Sequence, residues 1–212
     1  FKKDRPYCVG NDGNLAVASS LARVAAGDDD GPVYCFGFGF PGTGKSTFAD
    51  VLAWDLNHHG NSFAFVEADC LRIGPADPND ARHSLAQLQD AVFSKASYPM
   101  VLILDEIDAI SADRGNGLPP SQMTATHTTM MIVKEVRARK LRSLVLGITN
   151  RPHICDPTIK SEVGGAYIYF GPPDEDAIGK IMTKQKIVDA KKVAKEYVKN
   201  CQEQSVVPMV RP

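Results

Sequence analysis

Two short stretches of the sequence contain residue types that could act on phosphates. Residues 39–47 read Gly-Phe-Pro-Gly-Thr-Gly-Lys-Ser-Thr, which is a full Walker A phosphate loop. Residues 101–108 read Val-Leu-Ile-Leu-Asp-Glu-Ile-Asp, an apolar run that ends in carboxylates. The loop supplies backbone N–H groups, a cation and a hydroxyl, and the run supplies acidic side chains. Together the two stretches predict that the chain binds a nucleoside triphosphate and has the parts to hydrolyse it.

The residues predicted to bind phosphate lie in the first stretch. Gly39, Gly42 and Gly44 permit the backbone angles of the loop and let phosphate oxygens approach closely. Lys45 would contact the β- and γ-phosphates, and the Ser46 hydroxyl would ligate Mg²⁺. The predicted nucleotide-binding set comprises Gly39, Pro41, Gly42, Thr43, Gly44, Lys45, Ser46, Thr47 and Asp105.

Three further side chains are predicted at the carboxyl edge of a sheet. Asp105 follows four apolar residues, so it should emerge beside the loop and hold the magnesium shell through water. Glu106 is one residue further on and should point towards the γ-phosphate, where it can orient or deprotonate the attacking water. Asn150 follows a later strand, where a contact to the γ-phosphate and a turn before Arg151-Pro152 are equally good interpretations of the residue pattern.

A second motif overlaps the loop. Gly37, Gly39 and Gly42 also fit the G-x-G-x-x-G pattern of dinucleotide-binding folds, and Glu67 lies where such a fold places an acid for the ribose. That pattern explains neither the Lys45-Ser46 pair nor the acidic residues that follow the apolar run. The triphosphate interpretation is therefore favoured.

Short apolar runs alternate with helical stretches, which predicts an α/β fold with a parallel sheet and crossover helices. We expect a P-loop domain over residues 1–173 and, because strand signals end there, a short helical lid segment over 174–212. A loop is predicted at 115–120, and the residues after strand two form a looser segment. The predicted strands are 33–38, 62–67, 100–105, 143–149 and 166–170, and the predicted helices are 15–26, 45–58, about 80–96 and 122–139.

The composition fits one α/β domain with a small appendage. The 212 residues are 43% hydrophobic and 23% charged, and the net charge of −1 gives no overall attraction to nucleic acid or anionic lipid. No apolar run approaches the roughly 20 residues of a membrane span, and no signal-peptide pattern is present. The five cysteines are scattered, which predicts reduced thiols and a cytoplasmic protein. The first residue is Phe1 rather than Met, as expected of a domain excised from a longer chain.

The motifs and their order resemble the AAA+ family, in particular the AAA group of proteasomal, membrane-protease and microtubule-severing ATPases. The resemblance implies that Lys45 and Ser46 contact phosphate and Mg²⁺, that Asp105 and Glu106 are the Walker B pair, and that Asn150 is the sensor 1 residue. It also implies Mg-ATP as ligand, a homo- or hetero-oligomer, and a protein partner that hydrolysis remodels. The matching segments are 40–47, 104–110, 113–115, 148–152, 156–157 and 173–175, within roughly residues 33–178.

The sequence also departs from the family pattern. Residues 160–165 contain no arginine where the family carries arginine fingers, and Lys160 lacks the bidentate fork of arginine. Since a finger accelerates hydrolysis by roughly 10³–10⁵-fold, we expect slow turnover or a partner that supplies the arginine. Arg72-Ile73-Gly74 stands where threading enzymes carry an aromatic pore-loop residue. The lid is short, with about 39 residues after Pro173.

These departures leave two alternatives open. One is a nucleotide-regulated binding or assembly module with little hydrolysis, and the other is a DNA-associated loader, which Arg72 and the basic run 137–142 weakly favour. A protein substrate is preferred to nucleic acid, because Arg72 and the lysines of 187–201 are better explained as solvated charges. His58-His59 is interpreted as a helix end rather than a metal site, and Trp54 as a packing residue.

Overall fold

The computed structural model is built on one sheet of five parallel strands. It describes residues 4–27, 32–58, 62–73, 78–111, 120–162 and 165–204. The strand order is β2-β3-β4-β1-β5, and every neighbouring pair is parallel. The predicted α/β class is confirmed. The strands are β1 Val33–Gly39, β2 Ala64–Asp69, β3 Met100–Asp105, β4 Ser143–Thr149 and β5 Ala166–Phe170.

Helices connect the strands and cover both faces of the sheet, as parallel connections require. A single turn of 3-10 helix, Ile107–Ala109, follows β3. The helices are α1 Asp12–Ala26, α2 Lys45–His58, α3 Cys70–Ile73, α4 Pro78–Ser94, α5 Pro120–Ala138, α6 Pro157–Glu162, α7 Glu175–Lys184 and α8 Ala190–Glu203.

The core lies on both faces of the sheet. Successive side chains of a strand point to opposite faces, so Leu102 and Leu104 join one cluster while Val101 and Ile103 join the other. The first cluster includes side chains of α4 and α5, and the second includes side chains of α1 and α2. The central strands are therefore buried on both sides, and their carboxyl ends are held in fixed positions.

The predicted element bounds agree with the structure for β3, β4, β5 and α2. Strand β2 begins two residues later than predicted, because its ladder starts where Ala64 pairs with Met100. Helix α3 lies in the segment that was predicted to be irregular. Pro120 was predicted in a loop but begins α5, a first-turn position where a missing N–H costs nothing. The rest of that predicted loop lies outside the described residues.

Helices α7 and α8 pack on one another around a small cluster of their own. Its buried members are Ile178, Met182, Ala190 and Ala194. Helix α7 is capped by Asp174, whose carboxylate accepts from the Ala177 N–H at 2.7 Å. This cluster is separate from the two clusters on the sheet. A domain division at residue 173 stays a prediction.

The remaining sequence expectations concern isolated residues. All five cysteines are free thiols, and only Cys8 is more than marginally exposed. Trp54 lies on α2 and stacks on His58 with ring centroids 3.7 Å apart, whereas His59 lies outside the described residues. Within the described part of the chain, no helix is long and apolar enough to cross a membrane.

Candidate nucleotide-binding site

The phosphate loop connects β1 to α2. Gly42 and Gly44 have φ angles of 77° and 84°, in the left-handed region that favours glycine. Gly39 is required for another reason, since a Cβ atom there would lie 2.2 Å from the carbonyl oxygen of Phe170 on β5. The glycines that the motif predicts are thus imposed by backbone conformation and by close packing against the neighbouring strand.

The Lys45 side chain is enclosed by the loop. Its Nζ donates to the carbonyl oxygens of Gly39 at 3.1 Å and Phe40 at 2.6 Å, and the residue is 6% exposed. Burial lowers the pKa of Lys45, while the charges of Glu106 and Asp105 oppose that shift. The arrangement holds one ammonium group at the junction of strand, loop and helix.

Ser46 and Asp105 meet across the site. The Ser46 hydroxyl donates to Asp105 Oδ2 at 2.9 Å, which joins the first turn of α2 to the end of β3. A hydroxyl and a carboxylate oxygen are the hard ligands that Mg²⁺ prefers, and Mg²⁺ usually takes only one or two from the protein. The described residues contain no cluster of three or more His, Cys, Asp or Glu side chains that could hold a metal ion. The Ser46 hydroxyl and the Asp105 carboxylate are therefore the two oxygen donors that would suit Mg²⁺ at this site.

Glu106 leaves the strand in an unusual conformation. Its φ and ψ are 51° and 45°, and its N–H donates to Asp105 Oδ1 at 3.0 Å. Non-glycine residues seldom adopt this region, and those that do are concentrated at functional sites. Burial raises the pKa of the Glu106 carboxyl, and the nearby charges of Asp108 and Asp105 raise it further. Glu106 thus has the character of a carboxylate that can accept a proton.

Asn150 lies beside Glu106. Its Nδ2 donates to Glu106 Oε1 at 2.5 Å. Its Oδ1 is buried and has no hydrogen-bond partner among the described residues. Asn150 is thus oriented towards the predicted base, although the sequence pattern alone was equally compatible with a turn.

Sequence reasoning missed the role of a third carboxylate at this edge. Asp108 is buried and accepts from Thr149 Oγ1 at 2.5 Å and from Arg151 Nε at 2.9 Å. Asp108 ends the acidic run that drew attention to the site, but its partners lie more than 40 positions away in sequence. No local signal distinguishes such a buried carboxylate from one that is solvated.

The segment before α1 was also missed. It lines a cleft beside the phosphate loop, and Asn11 Nδ2 donates to the Thr43 carbonyl at 3.2 Å. Gly10, with a φ of 81°, turns the chain towards the loop. This glycine is the one sequence signal that the segment offered. The cleft is lined by Tyr7, Cys8, Val9, Gly10, Asn11, Gly42, Thr43, Gly44, Thr47, Gly171, Pro173 and Ile181.

Several other residues that the sequence singled out lie away from the site or outside the described residues. Arg72 and Ile73 are in α3 but their side chains are not described, and Gly74 lies outside the described residues. The Lys160 ammonium donates to the Pro152 carbonyl at 3.2 Å. In the basic run, Arg139 pairs with Glu135, Arg142 donates to the Ser97 carbonyl, and Arg137 lies over the Tyr34 ring.

The strand order excludes the dinucleotide alternative. In a dinucleotide-binding fold the strand with the ribose acid lies beside the first strand. Here β3 and β4 separate β2, which carries Glu67, from β1. The overlap of the two glycine patterns is therefore coincidental.

The sheet topology and the loop geometry define a P-loop nucleotide-binding protein. The family model described as "ATPase family associated with various cellular activities (AAA)" matches residues 35–166, which is more than half of the chain. The chain belongs to the AAA family. The predicted family is confirmed, and membership supports ATP binding, usually with Mg²⁺, and ATP hydrolysis in general terms.

Relatives of the chain include ATP-dependent enzymes that are much longer. It is 31% identical over 169 residues to the proteasome-activating nucleotidase of Methanococcus maripaludis, covering 74% of this chain and 39% of that protein. It is 31% identical to the ATP-dependent zinc metalloprotease FtsH of Pseudothermotoga lettingae, covering 57% and 18% of the two chains. The chain therefore spans about two fifths or less of the length of these relatives.

A solved structure shares the fold. A chain of the E. coli MS115-1 HORMA:CdnC:Trip13 complex superposes with a TM-score of 0.73. The match covers 90% of this chain and 74% of that chain, at 14% sequence identity. At this identity the likeness shows the fold alone.

Proposed function

We propose that this chain binds Mg-ATP at the carboxyl edge of its sheet and hydrolyses it to remodel a protein partner within an oligomer. One observation carries the proposal: three strand ends bring Lys45, the Ser46–Asp105 pair and the Glu106–Asn150 pair to one edge. These are a cation, a magnesium-side oxygen pair, and a base with an amide beside it. Family membership supports the same chemistry.

The residues take separate roles in the proposed reaction. The loop residues 39–47 surround the phosphates with backbone N–H groups, and Lys45 supplies positive charge to the β- and γ-phosphates. Ser46 and Asp105 are proposed to hold Mg²⁺, which neutralises phosphate charge when it is bound. Glu106 accepts a proton from the water that attacks the γ-phosphorus as the bond to the bridging oxygen of ADP breaks. Asn150 stabilises the charge on the transferred group.

The cleft lined by residues 7–11 is proposed to receive the base of the nucleotide. It adjoins the loop at Gly42–Thr43, and Ile181 of α7 forms part of its wall. Asn11, just before α1, and Ile181, in α7, would then both lie against the bound base. This placement would couple nucleotide binding to the position of α7.

The proposed site lacks the arginine finger that the family carries after its Asp-Pro pair. Residues 160–165 contain no arginine, and the one cation among them, Lys160, is bound to a carbonyl of its own chain. Without an arginine at the γ-phosphate, turnover would be slower by roughly 10³–10⁵-fold than with one. This observation favours a second candidate function, a nucleotide-regulated assembly module that hydrolyses little unless a partner supplies the arginine.

A protein partner is proposed rather than nucleic acid. The two relatives described above are a proteasome-activating nucleotidase and an ATP-dependent metalloprotease, and their names refer to the proteasome and to proteolysis. The arginines of the basic run are engaged within the chain, which weakens the DNA-associated alternative. The cytoplasm is kept as the proposed location, since all five cysteines are free thiols as in a reducing compartment.

The test is ATP turnover of the purified chain over a concentration series. Glu106→Gln serves as the blank, and Glu196→Gln, an exposed carboxylate on α8, serves as the matched control. Turnover per subunit that rises with protein concentration and is lost only in Glu106→Gln would support a self-assembling ATPase. ATP binding with no turnover at any concentration would overturn that function and support the assembly module. Absence of ATP binding would overturn both.

A further inference from the structure

We propose that Asp108 is a positioning residue that clamps both neighbours of Asn150 and so fixes the Asn150 amide against Glu106. The inference rests on the proposed hydrolysis, in which Glu106 and Asn150 act together. It assigns a role to a carboxylate that contacts neither the phosphate loop nor the magnesium-side pair. We call Asp108, Thr149 and Arg151 the brace.

The two oxygens of Asp108 are used by two different residues. Oδ1 accepts from the Thr149 hydroxyl at 2.5 Å. Oδ2 accepts from Arg151 Nε at 2.9 Å and lies 2.7 Å from Arg151 Nη2. The Asp108 side chain is fully buried, whereas the Arg151 side chain is 55% exposed. The buried carboxylate therefore fixes the positions of both Thr149 and Arg151.

Thr149 and Arg151 are the residues on either side of Asn150. They are also joined to each other, because the Arg151 N–H donates to Thr149 Oγ1 at 2.9 Å. The chain that carries Asn150 is thus a closed arch whose two ends are tied to one carboxylate. With its ends fixed, the arch presents the Asn150 amide to Glu106 at 2.5 Å.

Asp108 also belongs to the segment that carries Glu106. It lies in the 3-10 turn Ile107–Ala109, which begins directly after Glu106. One side chain therefore connects the turn behind the proposed base with the arch that carries the amide. Any displacement of Asp108 would change the distance between Glu106 and Asn150.

Stability alone does not explain a charge at this position. A buried ion pair gains little net free energy, because desolvation of the charges offsets their attraction, and an apolar replacement is often as stable. A positional role does explain it, since charge-assisted hydrogen bonds fix geometry more strictly than apolar contacts do. The two explanations predict different behaviour when the brace is cut.

The brace is cut most gently by Thr149→Val, which keeps the side-chain shape and removes both hydrogen bonds of the hydroxyl, the one to Asp108 and the one from the Arg151 N–H. Arg151→Gln cuts the other arm, and Asp108→Asn weakens both. We expect each variant to lower kcat for ATP by about 10- to 100-fold with KM changed less than about 3-fold, since small misplacements of reacting groups have effects of this size. Glu135→Gln, which breaks the Glu135–Arg139 pair at the C-terminal end of α5, is the control and should leave both constants unchanged.

The decisive comparison repeats Thr149→Val in an Asn150→Ala background. If the brace acts through Asn150, Thr149→Val has no further effect on kcat once the amide is gone, because the two residues work as one unit. A purely structural role would lower kcat by the same factor in both backgrounds, and that result would overturn the inference. A fall in kcat of Thr149→Val that disappears when turnover is expressed per folded chain at the assay temperature would overturn it too.

A second measurement does not depend on turnover. The side-chain amide signal of Asn150 in a ¹⁵N NMR spectrum, assigned by its loss in Asn150→Ala, should shift in all three brace variants and stay in place in Glu135→Gln. An unchanged signal in Thr149→Val and Arg151→Gln would overturn the brace. If the wild-type chain shows no ATP turnover, the proposed function fails, while this amide signal still decides whether the brace exists.

Discussion

The carboxyl edge of the sheet and the α7–α8 helix pair use opposite means to hold their shape. At the edge, the buried groups include an ammonium, a carboxylate and a threonine hydroxyl, namely Lys45, Asp108 and Thr149. Each is joined to groups from other elements, and Glu106 is held in a left-handed conformation. In the helix pair the buried cluster is apolar and small, and the lysines of the two helices lie on the surface.

This difference indicates where the molecule is rigid and where it can adjust. A network of buried polar groups allows few alternative arrangements, because every displaced partner leaves an unsatisfied group. A small apolar cluster separate from the main core opens more easily, since little apolar surface is exposed when it does. We therefore expect a fixed chemical edge and a comparatively labile helix pair that meet at the cleft beside Ile181.

The largest expected effect is at the edge. Lys45→Ala removes the proposed phosphate cation and its hydrogen bonds to the Gly39 and Phe40 carbonyls, of which the Phe40 carbonyl still accepts from the Thr43 hydroxyl. We expect turnover to fall at least about 10²–10³-fold, the range seen when one transition-state donor is deleted. Steady-state ATPase assays check this, with Lys95→Ala at an exposed position just after α4 as the control. Turnover within a few-fold of wild type would show that the lysine is not part of the site.

The difference in stability between the sheet and the α7–α8 pair is tested by truncating one buried isoleucine in each region. Ile103→Ala on β3 should lower the free energy of unfolding of the whole chain by about 2–5 kcal/mol, the usual cost of such a cavity. Ile178→Ala on α7 should instead accelerate amide hydrogen exchange within α7 and α8 alone. Exchange mass spectrometry and denaturant unfolding distinguish these outcomes. An equal loss of global stability in both variants would mean that the helix pair belongs to the main cooperative unit, against the predicted division at residue 173.

A smaller effect is expected at the start of α7. Asp174→Ala removes the cap on the Ala177 N–H and should destabilise α7 by about 1 kcal/mol. Asp176→Ala is the matched control, because it removes a carboxylate from the same turn, and this carboxylate pairs with the exposed Lys180. Faster exchange in α7 for the first variant and not for the second would support the cap. Equal effects in both would assign the stabilisation to charge alone.

The smallest effect concerns pH. The folded-state pKa of Glu106 is raised, so ionised Glu106 lowers stability above that pKa, and the penalty disappears as the pH falls below the ordinary glutamate value. Glu106→Gln should therefore raise the melting temperature of the nucleotide-free chain at neutral pH. The difference from wild type should vanish in acid, as calorimetry at several pH values would show. A lower melting temperature at neutral pH would mean that Lys45 and Arg151 outweigh burial.

Much of the fold was predictable because its signals are local. Apolar runs such as 100–105 and 143–149 gave correct strand bounds, since strands buried on both faces are continuous in hydrophobicity. The beginning of β2 was misplaced because pairing with β3, rather than composition, decides where the ladder starts. The first turn of α1 was missed for lack of apolar residues at Asp12 and Gly13.

The candidate site was predictable only in part. The structure places Lys45, Ser46, Asp105, Glu106 and Asn150 at one edge, as the motifs implied, while their chemical roles stay predictions. The brace and the Asn11–Thr43 contact were not predicted, because their partners lie 41 and 32 residues apart in sequence. Such contacts depend on which strands become neighbours in the sheet, and local residue patterns do not specify the strand order.

The stacking of Trp54 on His58 has a practical consequence for spectroscopy. Trp54 is the only tryptophan of the chain, so the indole fluorescence of the whole protein comes from one ring on the helix that begins at Lys45. Its Nε1 is shielded and has no partner among the described residues, so its emission should be blue relative to an exposed indole. Small rotations of the helix would alter the overlap with the imidazole and hence the emission intensity. Nucleotide titrations can therefore be followed optically on the unlabelled chain.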